Sequence, residues 1–138
     1  MNKRQLKLEK YGITSKRYKE LCGFCEQYPD WKLFLQANKD TVKSKQIDGM
    51  PYSNTGMTSD QTASLAIKRI SIQEKVDLIE DTAKEASPEL WEYIIMSVCY
   101  EKPFWYIRDI MNAPINGNSF YANRKYFFIL LDKKKKSV

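Results

Sequence analysis

Histidine is absent from the 138-residue chain. That omission excludes a Ser-His-Asp triad, a Cys-His dyad and any His-ligated metal site built within the chain. Cysteine is scarce: three residues, an odd number, with a basic N-terminus that no signal-peptide apolar core follows. Such a count reads as reduced thiols in a cytoplasmic setting and not as a disulfide framework. Five Gly and five Pro are too few for a turn-rich all-β chain. No apolar run approaches the roughly 20 residues of a membrane-spanning helix, so no membrane partner is expected.

What is present is a chain of single-domain size, 43% hydrophobic and 29% charged, with 23 Lys and Arg against 17 Asp and Glu. The net charge of +6 and a pI of about 9.1 suggest an acidic partner. The charge is uneven. Residues 1–46 carry a net +6, residues 47–100 a net −5 and residues 101–138 a net +5. Solvated helix faces account for the first segment as well as any partner does; in the last segment, position adds to charge.

Apolar spacing is helical throughout. Residues 1–13, basic and poor in large apolar side chains, are expected to fray. Thr14 suits the N-cap of a helix bearing Tyr18, Leu21, Cys25 and Tyr28, and Pro29 the first turn of a second with Trp31, Phe34 and Leu35 on one side. Residues 47–57 collect Gly, Pro, Ser and Asn and read as a loop without phosphate-binding chemistry. Thr58 and Gln61 match a capping box opening a long helix, 59–86, with a seam of Leu65, Ile72, Val76, Ile79 and Ala83. That seam suits packing on the first two helices or on a second copy of the chain, which leaves a homodimer open. Ser87-Pro88-Glu89 reads as the next helix start, with Leu90, Trp91, Ile94, Ile95 and Val98 inward. Pro103 opens another, with Phe104, Ile107, Ile110 and Met111 on one side. The fold class is all-α, divided into an N-terminal helical region at 1–86 and a second region at 87–138.

A short helix, a break at Ala113–Asn118 and a basic helix capped by Asn118 or Ser119 and ending near Asp132 form the pattern of a helix-turn-helix. At 100° per residue, Phe120, Phe127 and Leu131 share the inward stripe. Asn118, Ala122 and Lys125 fall opposite, with Tyr121 and Arg124 on the flanks. Small Ala122 permits close approach to a groove, while Asn118, Tyr121, Arg124 and Lys125 supply groups for bases and phosphates. Arg124 suits either guanine or phosphate. Lys133, Lys134, Lys135 and Lys136 then add a mobile phosphate-binding cluster. Tyr126, Phe128 and Ile129 extend the apolar surface and are expected to pack on the preceding region or on a partner.

Two stretches resemble the RinA/ArpU-like transcriptional regulators of phages and prophages in Gram-positive bacteria. Residues 48–69, DGMPYSNTGMTSDQTASLAIKR, are similar to that family's loop leading into its long helix. Pro114-Ile115, Ser119-Phe120-Tyr121, residues 124–128 and Leu131 are similar to its closing sigma-factor-like helix-turn-helix. The likeness spans roughly residues 15–132, including Tyr28-Pro29-Asp30-Trp31. It departs at Gln61, where proline is expected, and in a longer turn, which leaves the recognition-helix register open by a residue or two. The resemblance implies a DNA-binding activator of late phage genes in the bacterial cytoplasm. Its partners are double-stranded DNA and host RNA polymerase, and its reading helix contains Ser119, Tyr121, Ala122, Arg124 and Lys125.

Cys22 and Cys25 form a C-x-x-C within a helix and away from any βαβ unit, so two small core residues are expected and not a redox or zinc site. Acidic pairs such as Glu80-Asp81 and Glu89 with Glu92 read as solvated faces, as a contact for a basic polymerase surface, or as internal partners of the basic ends. No enzyme, cofactor or metal site is expected. Two other classes stay open beside the activator: a DNA-recognition protein like a terminase small subunit, and a non-catalytic helical interaction module.

Overall fold

The computed structural model describes residues 8, 10–38 and 59–136, except the side chains of 59–61. The loop at 47–57 and the Thr58–Gln61 cap lie outside that description. Every described element is helical, and the class is all-α. In chain order the helices are α1 (Ser15–Glu26), α2 (Tyr28–Ala37), α3 (Ser59–Ala86), α4 (Trp91–Val98), the short α5 (Tyr106–Ile110) and α6 (Gly117–Lys136).

The chain does not divide at residue 86. Met1–Pro29 and Leu78–Val138 make one compact unit, and Asp30–Asp77 makes another. The reason is that α1 packs on α4 and α6, so the start of the chain belongs with its end. In the smaller unit Trp31, Ile72 and Val76 are buried, and Lys68 and Lys75 lie over the rings of Phe34 and Trp31 at 4.8 and 5.5 Å. Ile67 and Ile70 are exposed on the same stretch of α3, off the seam.

The first described residues of the larger unit form a turn. Leu8 and Ile13 are buried, and the amides of Tyr11 and Ile13 both donate to the Leu8 carbonyl. Residues 10–13 are therefore held in place and not frayed, with Gly12 at φ 81° letting the chain reverse. Thr14 caps α1 as expected, its hydroxyl accepting from the Arg17 amide at 3.1 Å. Leu21 and Cys25 of α1, Ile79 and Ala83 of α3, Ile94, Ile95 and Val98 of α4, Ile107 of α5, and Phe120, Phe127, Phe128 and Leu131 of α6 are buried. Each of the large α6 side chains contributes about 2 kcal/mol on burial, so this face outweighs any single polar contact of the helix.

The expected helix starts shift. Ser87 accepts the Leu90 amide at 3.1 Å and closes a turn, and α4 begins only at Trp91. Asn116, and neither Asn118 nor Ser119, caps α6: its Oδ1 accepts the Ser119 amide at 2.9 Å. The connection after α5 is thus Met111–Asn116, two residues earlier than expected. On α5 Ile107 is buried but Ile110 is 58% exposed, because the residues wind as a π-helix and shift the periodicity by one residue per turn. Glu101, in the connection after α4, and Asn112, after α5, are both at φ 55°. They turn the Lys102 amide onto the Met96 carbonyl and the Ala113 amide onto the Ile107 carbonyl, each at 3.1 Å.

One ion pair crosses from α1 to the far end of α6. Asp132, 3% exposed, accepts from Arg17 Nε at 2.6 Å and pairs with Lys136 at 3.2 Å. Burial alone would raise the Asp132 pKa, yet the hydrogen bonds from Arg17 and Lys136 prevail and hold it below the ordinary aspartate value. Arg17 also pairs with Glu20 at 3.1 Å.

Two stability changes follow. Asp132→Ala leaves Arg17 without its buried partner and is expected to cost about 3 kcal/mol, the low end for a half-open pair. Because the folded carboxyl titrates below its unfolded value of about 3.9, its contribution is complete above that pH and is lost as pH falls through the depressed value. The stability gap between wild type and D132A in urea denaturation should therefore be constant from pH 7 to 5 and shrink below about pH 4. A pH-independent gap would overturn the assignment. Glu101→Gly should stabilise by about 1 kcal/mol by relieving the left-handed strain, read as a raised Tm.

Candidate nucleic-acid interface

The surface of α6 follows from which of its residues the core takes. With Phe120, Phe127, Phe128 and Leu131 inward, Asn118, Ser119, Ala122 and Tyr126 in the first half of the helix and Lys133 and Lys136 in its last turn are exposed. Tyr121, Lys125, Lys134 and Lys135 are half-buried. The first turn carries no acidic residue, so nothing opposes the partial positive charge of the helix start. Before it, the exposed Trp105, Arg108 and Ile110 belong to the short helical segment that precedes the connection.

Packing fixes the start of this surface. Phe104 stacks on Tyr121 at 5.7 Å and 28° and meets Phe120 at 5.8 Å. Arg108 lies over the same Phe104 ring, 5.4 Å from its centre, and pairs with its neighbour Asp109 at 2.7 Å. The Phe104 ring thus positions both Tyr121 and Arg108. Lys125 reaches over the Tyr11 ring at 5.5 Å, a contact with the turn that precedes α1.

Arg124 lies on the flank of the buried stripe, as expected, and turns toward the core side of it. The angular arithmetic that sets Phe120 and Leu131 inward puts Arg124 just beyond Leu131, on the side of Phe128. Its guanidinium lies over Phe128 at 5.3 Å, Nη2 donates to the Tyr18 hydroxyl at 3.4 Å, and buried Nε makes no hydrogen bond. Tyr18 itself packs on Phe128 with ring centres 5.0 Å apart. Burial raises the Tyr18 pKa and the nearby Arg124 charge opposes that rise. Arg124 therefore faces the α1 side of the helix and does not share the surface of Asn118 and Ala122.

The lysine cluster is also different. The helix runs through Lys136, so Lys133–Lys136 extend α6 as its last turn and are not a mobile tail. Lys134 pairs with Glu85 of α3 at 2.7 Å, Lys135 lies 3.8 Å from the Phe24 ring centre, and Lys136 serves Asp132. The Lys134–Glu85 pair joins the acidic helix to the basic end of the chain, an internal partnership of the kind the charge pattern allowed. Of the residues expected to pack on the preceding region or on a partner, Phe128 is buried, whereas Tyr126 is 47% exposed and does not pack on the preceding region. Its angular position, about 40° from Ala122, was the available signal.

Part of the acidic face and the thiols have neighbours within the fold. Glu80 accepts the Tyr28 hydroxyl at 2.5 Å; burial and then this bond raise the Tyr28 pKa. Cys25 is buried against Cys99, and the hydrogen bond between them, with burial, holds the Cys25 thiol well above its usual pKa. Burial likewise pushes up the pKa of the half-buried Cys22. All three are free thiols.

No family model matches the chain, and neither a curated protein nor a solved structure matches it significantly.

Burial of Cys25 and Cys99, with the raised pKa values of Cys22 and Cys25, predicts slow alkylation. At pH 7.5 Cys25 and Cys99 should react with iodoacetamide only in denaturant, and Cys22 should be the first modified in the folded protein. Peptide mass mapping reads the order; rapid labelling of Cys25 without unfolding would contradict it.

Proposed function

We propose that the protein is a sequence-specific DNA-binding transcriptional regulator that lays the first half of α6 in a major groove. The observation that carries this reading is the exposed face of α6. Asn118, Ser119 and Ala122 stand on one side of a rigidly seated helix that follows a short helix and the six-residue connection Met111–Asn116. Lys125 lies beside them. The first helix and connection would serve as the positioning half of a helix-turn-helix. Asn118 has the donor and acceptor needed for an adenine edge, Ala122 leaves room for a thymine methyl, and Ser119 and Lys125 reach phosphate. Tyr126 joins that surface, whereas Arg124 does not. Lys133 adds charge further along the helix.

The role is binding and not catalysis. The resemblance to RinA/ArpU-like regulators supports a finer reading, activation of late phage genes close to host RNA polymerase in the bacterial cytoplasm. The exposed Trp105 and Ile110 are available on the neighbouring helical segment for a protein contact of that kind. No helix among the described residues is long and apolar enough to cross a membrane.

Selection from a random duplex pool followed by fluorescence anisotropy tests the proposal. A defined sequence should emerge, with affinity falling steeply with salt. Asn118→Ala should weaken binding by about 1–3 kcal/mol and relax one position of the site, while Lys125→Ala should lower the salt slope by about one. Failure to enrich any sequence, or wild-type binding by the N118A/K125A double variant, would overturn the reading.

A further inference from the structure

Beside the first half of α6 lies a cavity of about 380 Å3, within the size of small-molecule sites. Tyr18, Tyr121 and Phe128 give it aromatic walls, Arg124 and Lys125 give it cations, and Asn118 stands at its rim. Arg124 is the informative residue. A guanidinium has five N–H donors, and here the described contacts are one long bond to a neutral hydroxyl and a ring face. Its Nε is buried without an acceptor. Arg17, by contrast, holds two carboxylates. Among the described residues no carboxylate pairs with Arg124. A cation sunk into an aromatic pocket without a counter-charge is costly, and an incoming anion offsets that cost.

A second cavity, of about 310 Å3, shares Tyr18, Tyr121 and Arg124 but is also lined by Glu26 and Glu101. Those carboxylates repel an anion. Among the described residues the first cavity has no acidic side chain in its lining, and its flat rings suit a planar ligand.

We infer that the larger cavity is a binding site for a small aromatic anion, its negative group on Arg124 and Lys125 and its ring against Tyr18, Tyr121 and Phe128. A nucleoside monophosphate and an aromatic carboxylate share this chemistry, and both are tested. Isothermal titration calorimetry of the full chain, without DNA, uses adenosine and guanosine 5′-monophosphates, 4-hydroxybenzoate, adenosine and inorganic phosphate. At least one of the three aromatic anions should bind with Kd below about 1 mM. Adenosine, which lacks the charge, and phosphate, which lacks the ring, should bind at least about tenfold more weakly. Which of the aromatic anions binds tighter identifies the source.

Arg124→Met should weaken the bound anion at least about tenfold, as should Ala122→Trp, which fills the rim from an exposed position. Circular dichroism checks that both variants are folded, and if R124M is not, A122W decides. The inference fails if no aromatic anion binds below about 1 mM. It fails also if phosphate binds as tightly as the ring compounds, or if binding is unchanged in the folded variants. The titration contains no duplex, so its outcome and that of the DNA selection are independent.

Discussion

The seating of α6 on α1 and α4 is the constraint from which the larger unit takes its form. Phe120, Phe127, Phe128 and Leu131 are withdrawn from solvent together. Their transfer free energy, about 2 kcal/mol each, exceeds what a cation–π contact or an exposed ion pair supplies by several-fold. Once that face is committed, the rotation of α6 is set for all five of its turns. The face opposite is then Asn118, Ala122, Tyr126 and Lys133, whatever their chemistry. The Arg17–Asp132 pair acts within this arrangement. Polar geometry adds little to the area buried, but it fixes the register of the last helical turn against α1, because a buried carboxylate is tolerated only where its partner waits.

That register explains the fate of the basic segment. Four consecutive lysines would repel one another at the end of a free chain. As the last turn of a helix they oppose its negative end, a favourable placement. Their individual neighbours then absorb part of the charge: Glu85 takes Lys134, Asp132 takes Lys136, and the Phe24 ring lies beside Lys135. The net +5 of residues 101–138 is consequently less available than the count suggests. The cationic strength of the first half of the α6 surface rests more on Lys125 and the helix start.

Much of the fold was readable because it rests on period and caps. The 59–86 helix, the Thr14 cap and the inward stripe of Phe120, Phe127 and Leu131 all follow from local chemistry that no distant contact overrides. What was not readable depends on partners far along the chain. Nothing near residue 17 announces Asp132, and nothing near Cys25 announces Cys99, so the union of the first helix with the last three was invisible and the boundary at 86 misplaced. Ile110 was misassigned for a local reason, since a π-helix breaks the period by which an inward face is recognised. The candidate surface was partly legible. Asn118 and Ala122 fell on the exposed side by simple rotation, and Arg124 on the flank of the stripe, where rotation alone does not tell whether a guanidinium turns to the core side or outward.

The case of Arg124 bears on how the two proposals relate. An arginine in a basic helix is conventionally given to phosphate or guanine, but this guanidinium cannot leave Tyr18 and Phe128 for a groove without uncovering the rings it lies against. It is nearer in role to a counter-charge awaiting an anion from the cavity side. The cavity and the α6 surface nevertheless share Asn118, Ala122 and Lys125. A ligand that draws Lys125 inward removes a phosphate contact from the outer face, and a duplex that draws it outward weakens the ligand site. Reciprocity requires that the two effects be equal in free energy. If both sites act as proposed, α6 is a single element whose few cations are contested from its two sides, and the direction of coupling between ligand and DNA is negative.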